Sequence, residues 1–455
     1  MNREIAINLG VDFGTRLTKV CVRSDEVGTA VVDFVGRGLG GALVCSVVCT
    51  NENGVISVPP PGAAPSAKCA IAYLKMALAD RAHLSFGEDV PQPTVPTEEV
   101  SKALSAYFLS KTISRAKGWV LAAWNEHIGD RVVQWSGNVG LPVEHFDSDV
   151  RPKFQEVVAV AWHWSEIGIP EGTIDDLVRA YEICEARREP ATSHFQACPE
   201  IAAAVMSFAM SRTSVPGIYV YFDVGGGTVD GVTFNLRRPS GEVHVNFYAG
   251  QVKSLGVDWI ADDVCQRLSV EGSDSPDAER IKSALLNGKS KEVDAALAQY
   301  ADQIALMAGG VIYQGKRKDG RNWREEKIQV SFAQRTLRRH LNDEDVTPLR
   351  VFVGGGGGGS SFYQQSISNG YERNTLRLYG IPPFDLIEVP FPADLLMGSV
   401  KTRDYHRFLI AYGLSVPYGE GPEIGLPSQF DPVPPRAPIR TTGMPDYRDH
   451  KDIFD

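Results

Sequence analysis

Three stretches of the chain share a pattern in which an apolar, strand-like run ends in glycine. Near the start, EIAINLGVDFGTRLTKVCVRSD predicts two strands that fold back on each other at Phe13–Arg16, with the glycine making the turn. In the middle of the chain, GIYVYFDVGGGTVDGVTFNLRR predicts a second such unit, followed by the strand VHVNFYAG. A third stretch, VFVGGGGGGSSF, begins as a strand and continues into six glycines. GVDFGT and YFDVGGGT therefore form a loose internal repeat.

Helical patterns alternate with these strands. PTVPTEEVSKALSAYFLSKTISRAKGW predicts a long helix with Thr97 as its N-cap, because acidic residues follow Thr97 in the first turn. DRVVQWSGNVGLP predicts a strand that ends at Pro142. Further helices are predicted through CAIAYLKMALADR, over residues 150–167 and 175–188, and in PEIAAAVMSFAMS, DWIADDVCQRL and DAERIKSALLNG. The alternation of strands and helices predicts an α/β protein.

Two polar segments interrupt this alternation. GKRKDGRNWREEK is a basic run between apolar segments and is expected to be a solvated loop or hairpin tip. From Pro417 to Asp455 the chain is Pro-rich and polar without apolar periodicity, so this part is predicted to be a C-terminal tail.

Composition narrows the class of protein. At 455 residues the chain exceeds the roughly 250–300 residues at which one core stops growing, so two lobes or domains are expected. The net charge of −10 argues against nucleic acid or an anionic membrane as the main partner. The cysteines show no metal-binding spacing, and the start lacks the long apolar core of a signal peptide. A cytoplasmic protein that does not enter the membrane is therefore expected.

The two repeated turns contain the candidate binding residues. Each unit places an aspartate, Asp12 or Asp223, at the end of a buried strand and follows it with glycine and threonine. Such a turn aims successive backbone N–H groups and a hydroxyl at one point, which is the geometry of a phosphate nest. The aspartate beside it suits Mg²⁺ held through water. Two units facing each other would hold a nucleotide tail from both sides.

The six glycines need a reason to be ordered. Glycine costs roughly 0.5–1 kcal/mol relative to alanine in an ordered element. A mobile linker is one interpretation of Gly354–Gly359. The other is a backbone that lies flat against a ligand, which the preceding strand and the helix-like SSFYQQSI favour.

The ordered set of motifs resembles the superfamily of actin, sugar kinases and heat-shock chaperone ATPases. GVDFGTRLTKV, YFDVGGGTVDG and VFVGGGGGGSS look like its first phosphate loop, second phosphate loop and adenosine loop. PTEEVSKALSAYF, NVGLPVEHF, CPEIAAAVMSFA, SLGVDWIADDV, ERIKSALL and AYGLSV are similar to segments of the DnaK-like branch, the seventy-kilodalton heat-shock chaperones. This resemblance spans residues 5–416.

The resemblance implies an α/β, two-lobed actin-like ATPase fold, built from duplicated ribonuclease-H-like domains with a nucleotide cleft between the lobes. It places lobe I at residues 1–214 and lobe II at 215–397. Residues 398–416 would return to lobe I, and 417–455 would be the tail.

The resemblance also assigns roles. Asp12 and Asp223 would hold Mg²⁺ through waters, and Glu200 would orient the water that attacks ATP. Gly14, Thr15, Gly225, Gly226, Gly227 and Thr228 would cradle the β- and γ-phosphates. Gly354, Gly355 and Gly356 would lie against the adenosine and α-phosphate, while Gly357–Gly359 exceed the family pattern. Glu279 and Lys282 would contact the ribose and adenine edge, or form an ordinary charge pair on a solvated helix face.

Some assignments stay open. The phosphate-binding lysine could be Lys75, which is favoured, or Lys68, or Lys19 on the returning strand, as in actins. Arg16 replaces a small residue of the family turn. Asp230 matches a family aspartate, or it caps its turn.

Three functions fit the resemblance. The favoured one is a slow, Mg²⁺-dependent DnaK-like nucleotide-switch ATPase that binds ATP and ADP and works with a partner protein, for which the tail is a candidate contact. The others are a filament-forming actin-like ATPase and a small-molecule phosphotransferase. Only 39 residues follow Val416, too few for a peptide-binding β-sandwich, so autonomous chaperone action is not expected.

Overall fold

The protein is a mixed α/β structure in which strands are gathered into separate sheets. The computed structural model describes residues 4–141, 150–187, 194–210, 214–270, 278–287, 291–325 and 342–433. The strands of these residues are β1 (Glu4–Asp12), β2 (Leu17–Ser24), β3 (Gly28–Val31), β4 (Val44–Cys45), β5 (Val48–Thr50), β6 (Ile56–Ser57), β7 (Ala70–Ala72), β8 (Ser85–Phe86), β9 (Val132–Leu141), β10 (Phe195–Pro199), β11 (Gly217–Val224), β12 (Val229–Arg237), β13 (His244–Lys253), β14 (Leu349–Gly354), β15 (Phe384–Ile387), β16 (Leu395–Leu396) and β17 (Glu423–Gly425).

Helices connect and cover these strands. They are α1 (Leu39–Ala42), α2 (Leu74–Leu78), α3 (Thr97–Ala123), α4 (Asn125–Ile128), α5 (Val150–Ile167), α6 (Ile174–Arg187), α7 (Glu200–Ala209), α8 (Val257–Val270), α9 (Ala278–Asn287), α10 (Lys291–Asp319), α11 (Ser361–Arg373) and α12 (Leu409–Leu414). None of the helices in the described ranges is long and apolar enough to cross a membrane.

Two sheets repeat one strand arrangement. Within the described residues, the first sheet has the order β10-β9-β1-β2-β3-β16, with β4 on β2, and the second has β15-β14-β11-β12-β13-β17. In each, three consecutive strands pair antiparallel, and two later strands add in parallel beside the first of the three. The first strand of each triplet, β1 or β11, is therefore central and buried, as its near-continuous apolar sequence requires.

Helices α7 and α12 fill the space between the two sheets. One core cluster joins apolar side chains of both helices to residues of the first sheet, such as Cys21 and Val31, and of the second, such as Tyr221 and Phe352. Helices α3, α5 and α6 build a core on the first sheet, and α8, α10 and α11 build one on the second. The three cores place the carboxyl ends of β1 and β11 near each other.

Most predicted strand and helix segments are present, but two details around α2 and α3 are wrong. The predicted helix through CAIAYLKMALADR is present only in part: Ala70–Ala72 form β7, which pairs with β5 and β8, and helix α2 begins only at Leu74. Tyr73, with φ of 64°, makes the break between the two. Thr97 is not the N-cap of α3, since Pro96 occupies that position with extended backbone and Thr97 is the first helical residue.

Two segments expected to lack regular structure have some. The first five residues of the basic run belong to α10, which ends at Asp319 and whose apolar side chains, Ile312 among them, pack in the core on the second sheet. The predicted tail contributes β17, which pairs with β13, and Phe430 stacks edge-on against Tyr248 at 5.1 Å. Residues 434–455 of the tail and Pro142 lie outside the described residues.

Candidate functional site

The two repeated turns line one cavity. It has a volume of about 220 Å³ and is lined from both sheets, by Asp12 at the end of β1 and by Asp223 near the end of β11. The turns are in direct contact: a Cβ built on Gly227 would lie 3.1 Å from Thr15 Oγ1. A cavity of this size is smaller than the roughly 300–1,000 Å³ of typical ligand sites, so a nucleotide would have to widen it.

Most of the residues predicted from the sequence line this cavity. Those that do are Asp12, Gly14, Thr15, Lys19, Lys75, Glu200, Asp223, Gly225, Gly226, Thr228, Lys282 and Gly356. Gly227, Glu279, Gly354 and Gly355 do not line it, and neither does Lys68. Glu279 points to solvent with 81% of its side chain exposed, and Lys68 is an exposed residue 3.5 Å from Glu88.

Lys19 is paired with Asp12. The antiparallel register of β1 and β2 sets the two residues opposite each other, and Lys19 Nζ donates to Asp12 Oδ2 at 2.8 Å. Both side chains are mostly buried, with exposed fractions of 15% and 4%. The ion pair offsets part of the cost of burying both side chains.

Lys75 is paired with Glu200. Lys75 lies on the short helix α2, Glu200 is the first residue of α7, and Lys75 Nζ donates to Glu200 Oε1 at 2.5 Å. Burial raises the pKa of Glu200 to about 7, against the opposing effect of Lys75. Burial lowers the pKa of Lys75, but the carboxylates of Glu200 and Asp12 outweigh it and the net shift is upward. A carboxyl group with a pKa near neutrality can accept and release a proton at physiological pH.

Asp223 is a half-buried carboxyl and Asp230 a buried one, and both lie on the second sheet. Burial, together with the charge of Asp12, raises the pKa of Asp223 to about 6, and burial together with Asp223 raises that of Asp230 to about 7. Tyr221 donates its hydroxyl to Asp223 at 3.3 Å. Thr228 Oγ1 donates to Asp230 Oδ2 at 2.9 Å, the contact expected of a residue that caps its turn. Asp230 Oδ1 is buried without a hydrogen-bond partner among the described residues.

The glycine turn after β11 is fixed by the start of α8. The carbonyl of Gly226 accepts from the backbone N–H of Asp258 at 2.8 Å, and that of Gly225 accepts from Val257 at 3.1 Å. These hydrogen bonds to the start of α8 hold the turn in its conformation.

The run of six glycines is an ordered turn after β14, and its glycines are needed to different degrees. Gly355 has φ of 80°, and its Cβ would lie 2.5 Å from the carbonyl oxygen of Val224. A Cβ on Gly357 would lie 2.4 Å from Val224 Cγ1, and one on Gly358 would lie 2.6 Å from the Gly354 carbonyl oxygen. Gly359 has no atom within 4 Å of such a Cβ. Close packing thus explains two of the three glycines that exceed the family pattern: Gly357 packs on the end of β11 and Gly358 on the end of β14.

The structure adds residues that motif comparison did not identify. Arg16 spans the cavity, with guanidinium nitrogens 3.6 Å from Asp258 and 3.4 Å from Asp262 on α8. Tyr73 donates its hydroxyl to the same Asp262 at 2.7 Å. Lys282, which the motifs did identify, contacts Asp258 at 2.8 Å, and Arg407 lies on the wall beside Gly356. The contacts of Arg16 and Tyr73 with Asp262 join residues 246 and 189 positions apart, and the only sequence signal for them was the unusual arginine at position 16.

The site offers carboxylates and cations within one cavity. Among the described residues, no three carboxylate, histidine or cysteine side chains are grouped closely enough to hold a bare metal ion. A Mg²⁺ held through its own waters is a different case, and Asp12, Asp223 and the unpartnered oxygen of Asp230 are oxygen acceptors that fit an ion held in that way. The glycine turns and lysines suit phosphate. Neither a scan of protein-family models nor a search of curated proteins gives a match to the chain.

Replacement of Asp230 by asparagine should flatten the pH dependence of stability. A carboxyl whose pKa is raised on folding binds more protons in the folded state, so the free energy of unfolding falls as pH rises from about 4 to about 7, by about 1.4 kcal/mol for each pKa unit. We expect Asp230→Asn to be more stable than the wild type at pH 8 and to lose less stability between pH 5 and pH 8. Urea unfolding in chelator at both values measures this.

The exposed Asp385 supplies the matched control for this experiment. Asp385→Asn should keep the wild-type slope. Identical slopes for the wild type and Asp230→Asn would show that Asp230 is not buried as a proton-binding group.

Proposed function

We propose that the chain is a Mg²⁺-dependent ATPase with the two-lobed, actin-like fold, acting as a DnaK-like nucleotide switch. The observation that carries the proposal is the repeat of one five-strand arrangement in two sheets whose Asp-Gly-Thr turns contact each other at one cavity. In this proposal lobe I is residues 1–214, lobe II is 215–397, residues 398–416 return to lobe I, and 417–455 follow as the C-terminal segment.

The two turns would hold the phosphates. Thr15 and Thr228 bring hydroxyls to the cavity wall, and Gly14, Gly225 and Gly226 bring backbone without side chains. Asp12 and Asp223 would bind Mg²⁺ through water, and the ion would neutralise charge on the β- and γ-phosphates. Burial and the charge of Asp12 both raise the pKa of Asp223. A cation between the two carboxylates would reduce the repulsion between them, which supports this role.

Glu200 would position the attacking water. Hydrolysis forms a bond between the water oxygen and the γ-phosphorus and breaks the bond to the bridging oxygen, so that ADP and inorganic phosphate leave. Catalysis in such a site consists mostly of positioning and charge stabilisation. Lys75 holds the Glu200 carboxylate and brings a positive charge to the same wall of the cavity.

The bridges across the cavity support a switch. Arg16 and Tyr73 come from elements of the first sheet region, and both contact Asp262 on α8. A nucleotide that widens the cavity would have to alter these contacts, so binding would change the relation between the two lobes. A partner protein would read that change. Because such pairs are part-exposed, each is worth only about 0.2–1 kcal/mol, which a ligand can readily overcome.

ATP binding and phosphate release by the purified chain, with and without Mg²⁺, test the proposal. The wild type should bind ATP and hydrolyse it slowly when Mg²⁺ is present. Asp12→Asn and Asp223→Asn should each weaken the Mg²⁺ dependence of ATP binding by tenfold or more, because each removes a charge that the ion needs, on the order of 1.4 kcal/mol.

Asp25→Asn is the matched control, since Asp25 is an exposed aspartate of the turn between β2 and β3. It should leave binding unchanged. Equal Mg²⁺ dependence in all four proteins would contradict the assigned roles of Asp12 and Asp223. Phosphate transfer to a sugar in place of water would favour the phosphotransferase.

A further inference from the structure

Arg407 lies against the glycine turn at one end of the cavity. It is the last residue of the short helix Thr402–Arg407, and it lines the cavity together with Gly356 and Ile410. The preceding carbonyl, of His406, accepts from the backbone N–H of Gly355 at 3.1 Å, which ties this helix to the turn. One guanidinium nitrogen of Arg407 is 3.8 Å from the position that a Cβ on Gly356 would take.

Arg407 differs from the other cations of the cavity because it has no carboxylate partner within ion-pair distance among the described residues. Each of the others has an acidic partner: Lys19 has Asp12, Lys75 has Glu200, Lys282 has Asp258 and Arg16 has Asp262. Among the residues that the structure describes, no carboxylate lies within ion-pair distance of Arg407, and its Nε is buried with no hydrogen-bond partner. Burial lowers the pKa of Arg407, and the charge of Asp404 opposes this without offsetting it.

A half-buried guanidinium whose Nε has no acceptor is costly unless an anion completes its hydrogen bonds. The planar fork of arginine matches two oxygens of a phosphate, and such charge-assisted pairs are among the stronger hydrogen bonds in proteins. Glycine at position 356 leaves the approach to the guanidinium free of side-chain atoms.

We propose that Arg407 binds the phosphate group nearest the β14 glycine turn, which is the α-phosphate when the two Asp-Gly-Thr turns hold the β- and γ-phosphates as proposed above. This inference rests on the proposed function, since it takes that orientation as given. It predicts that recognition at this end of the cavity depends on the phosphate next to the ribose and not on the length of the phosphate chain.

The affinities of ATP, ADP, AMP and adenosine for Arg407→Gln test this. ATP and ADP would be measured by titration, and AMP and adenosine by competition against a fluorescent ADP whose affinity is determined for each protein. We expect all three phosphate-bearing ligands to lose affinity by the same factor, about tenfold to a hundredfold, as for a lost hydrogen bond to a charged group. Adenosine should bind equally to both proteins.

Other results would overturn the inference in distinguishable ways. A loss confined to ATP would put Arg407 at the γ-phosphate, a loss confined to ATP and ADP would put it at the β-phosphate, and an equal loss for adenosine would put it at the ribose or base. No loss for any ligand would remove Arg407 from the site.

Two further variants keep these outcomes interpretable. Arg403→Gln changes an exposed arginine of the same short helix and should leave all four affinities unchanged. Arg407→Lys keeps the charge without the fork and should lose less affinity than Arg407→Gln. If the wild type binds none of the four ligands, the proposed function fails. If the wild type binds them and Arg407→Gln binds them with the same affinities, only this inference fails.

Discussion

Glu200→Gln is expected to reduce the rate of ATP hydrolysis by about 10²- to 10⁴-fold while ATP affinity stays within about threefold of the wild type, the range typical of a lost general base. Glutamine keeps the size of the side chain and an oxygen for Lys75, so the fold of the wall should persist. What it loses is the carboxylate that can accept a proton. Phosphate release under saturating ATP and a separate ATP titration measure the two quantities.

The pH profile distinguishes chemistry from structure in this experiment. Because burial raises the pKa of Glu200 to about 7, the wild-type rate should rise as pH increases through that value, when the carboxylate form appears. The rise should be absent in Glu200→Gln. Glu126→Gln, at an exposed glutamate of α4, should keep both the rate and the profile. A Glu200→Gln variant with wild-type turnover would exclude the Glu200 carboxylate as the group that accepts a proton from the attacking water.

Gly355→Ala is expected to destabilise the protein by about 2 kcal/mol or more, whereas Gly359→Ala should leave it unchanged or stabilise it by about 0.4–1 kcal/mol. Gly355 has left-handed backbone, which costs an L-residue about 1–2 kcal/mol, and its Cβ would collide with the Val224 carbonyl oxygen at 2.5 Å. Gly359 has open space around it, so alanine there mainly reduces the entropy of the unfolded chain. Urea unfolding of both variants measures the difference.

The two alanine variants serve as controls for each other, because they change the same residue type four positions apart in one turn. Equal stabilities would mean that the turn does not hold the packed conformation and that the glycines act as a linker. Packing in an ordered turn would then no longer explain why the sequence has six glycines at this position.

Local patterns in the sequence were sufficient for the elements with strong periodicity. The strand-turn-strand units at Asp12 and Asp223 and the helix over residues 150–167 follow from apolar alternation, apolar spacing and turn residues alone. The break at Tyr73 was not predictable, since it depends on β7 pairing with β5 and β8, and a left-handed tyrosine has no sequence signature. Likewise, β17 forms only because β13 offers an edge.

The candidate site shows the same division. The motifs identified the residues of the two turns, and most of these residues line one cavity. Which lysine pairs with which carboxylate depends on the register of β1 and β2 and on the packing of α2 against α7, neither of which composition can supply. Arg407 was missed altogether, because an arginine after a short polar helix resembles any surface arginine until its neighbours are known.

The measurement that tests the account most directly is calorimetric titration of the purified wild-type chain with ATP in the presence of Mg²⁺, followed by an assay of phosphate release. The account predicts saturable binding at one site per chain and slow formation of ADP and phosphate, both weakened when Mg²⁺ is chelated. A chain that neither binds nor hydrolyses ATP under these conditions would contradict the proposed function, even if the two sheets and their cavity fold as described.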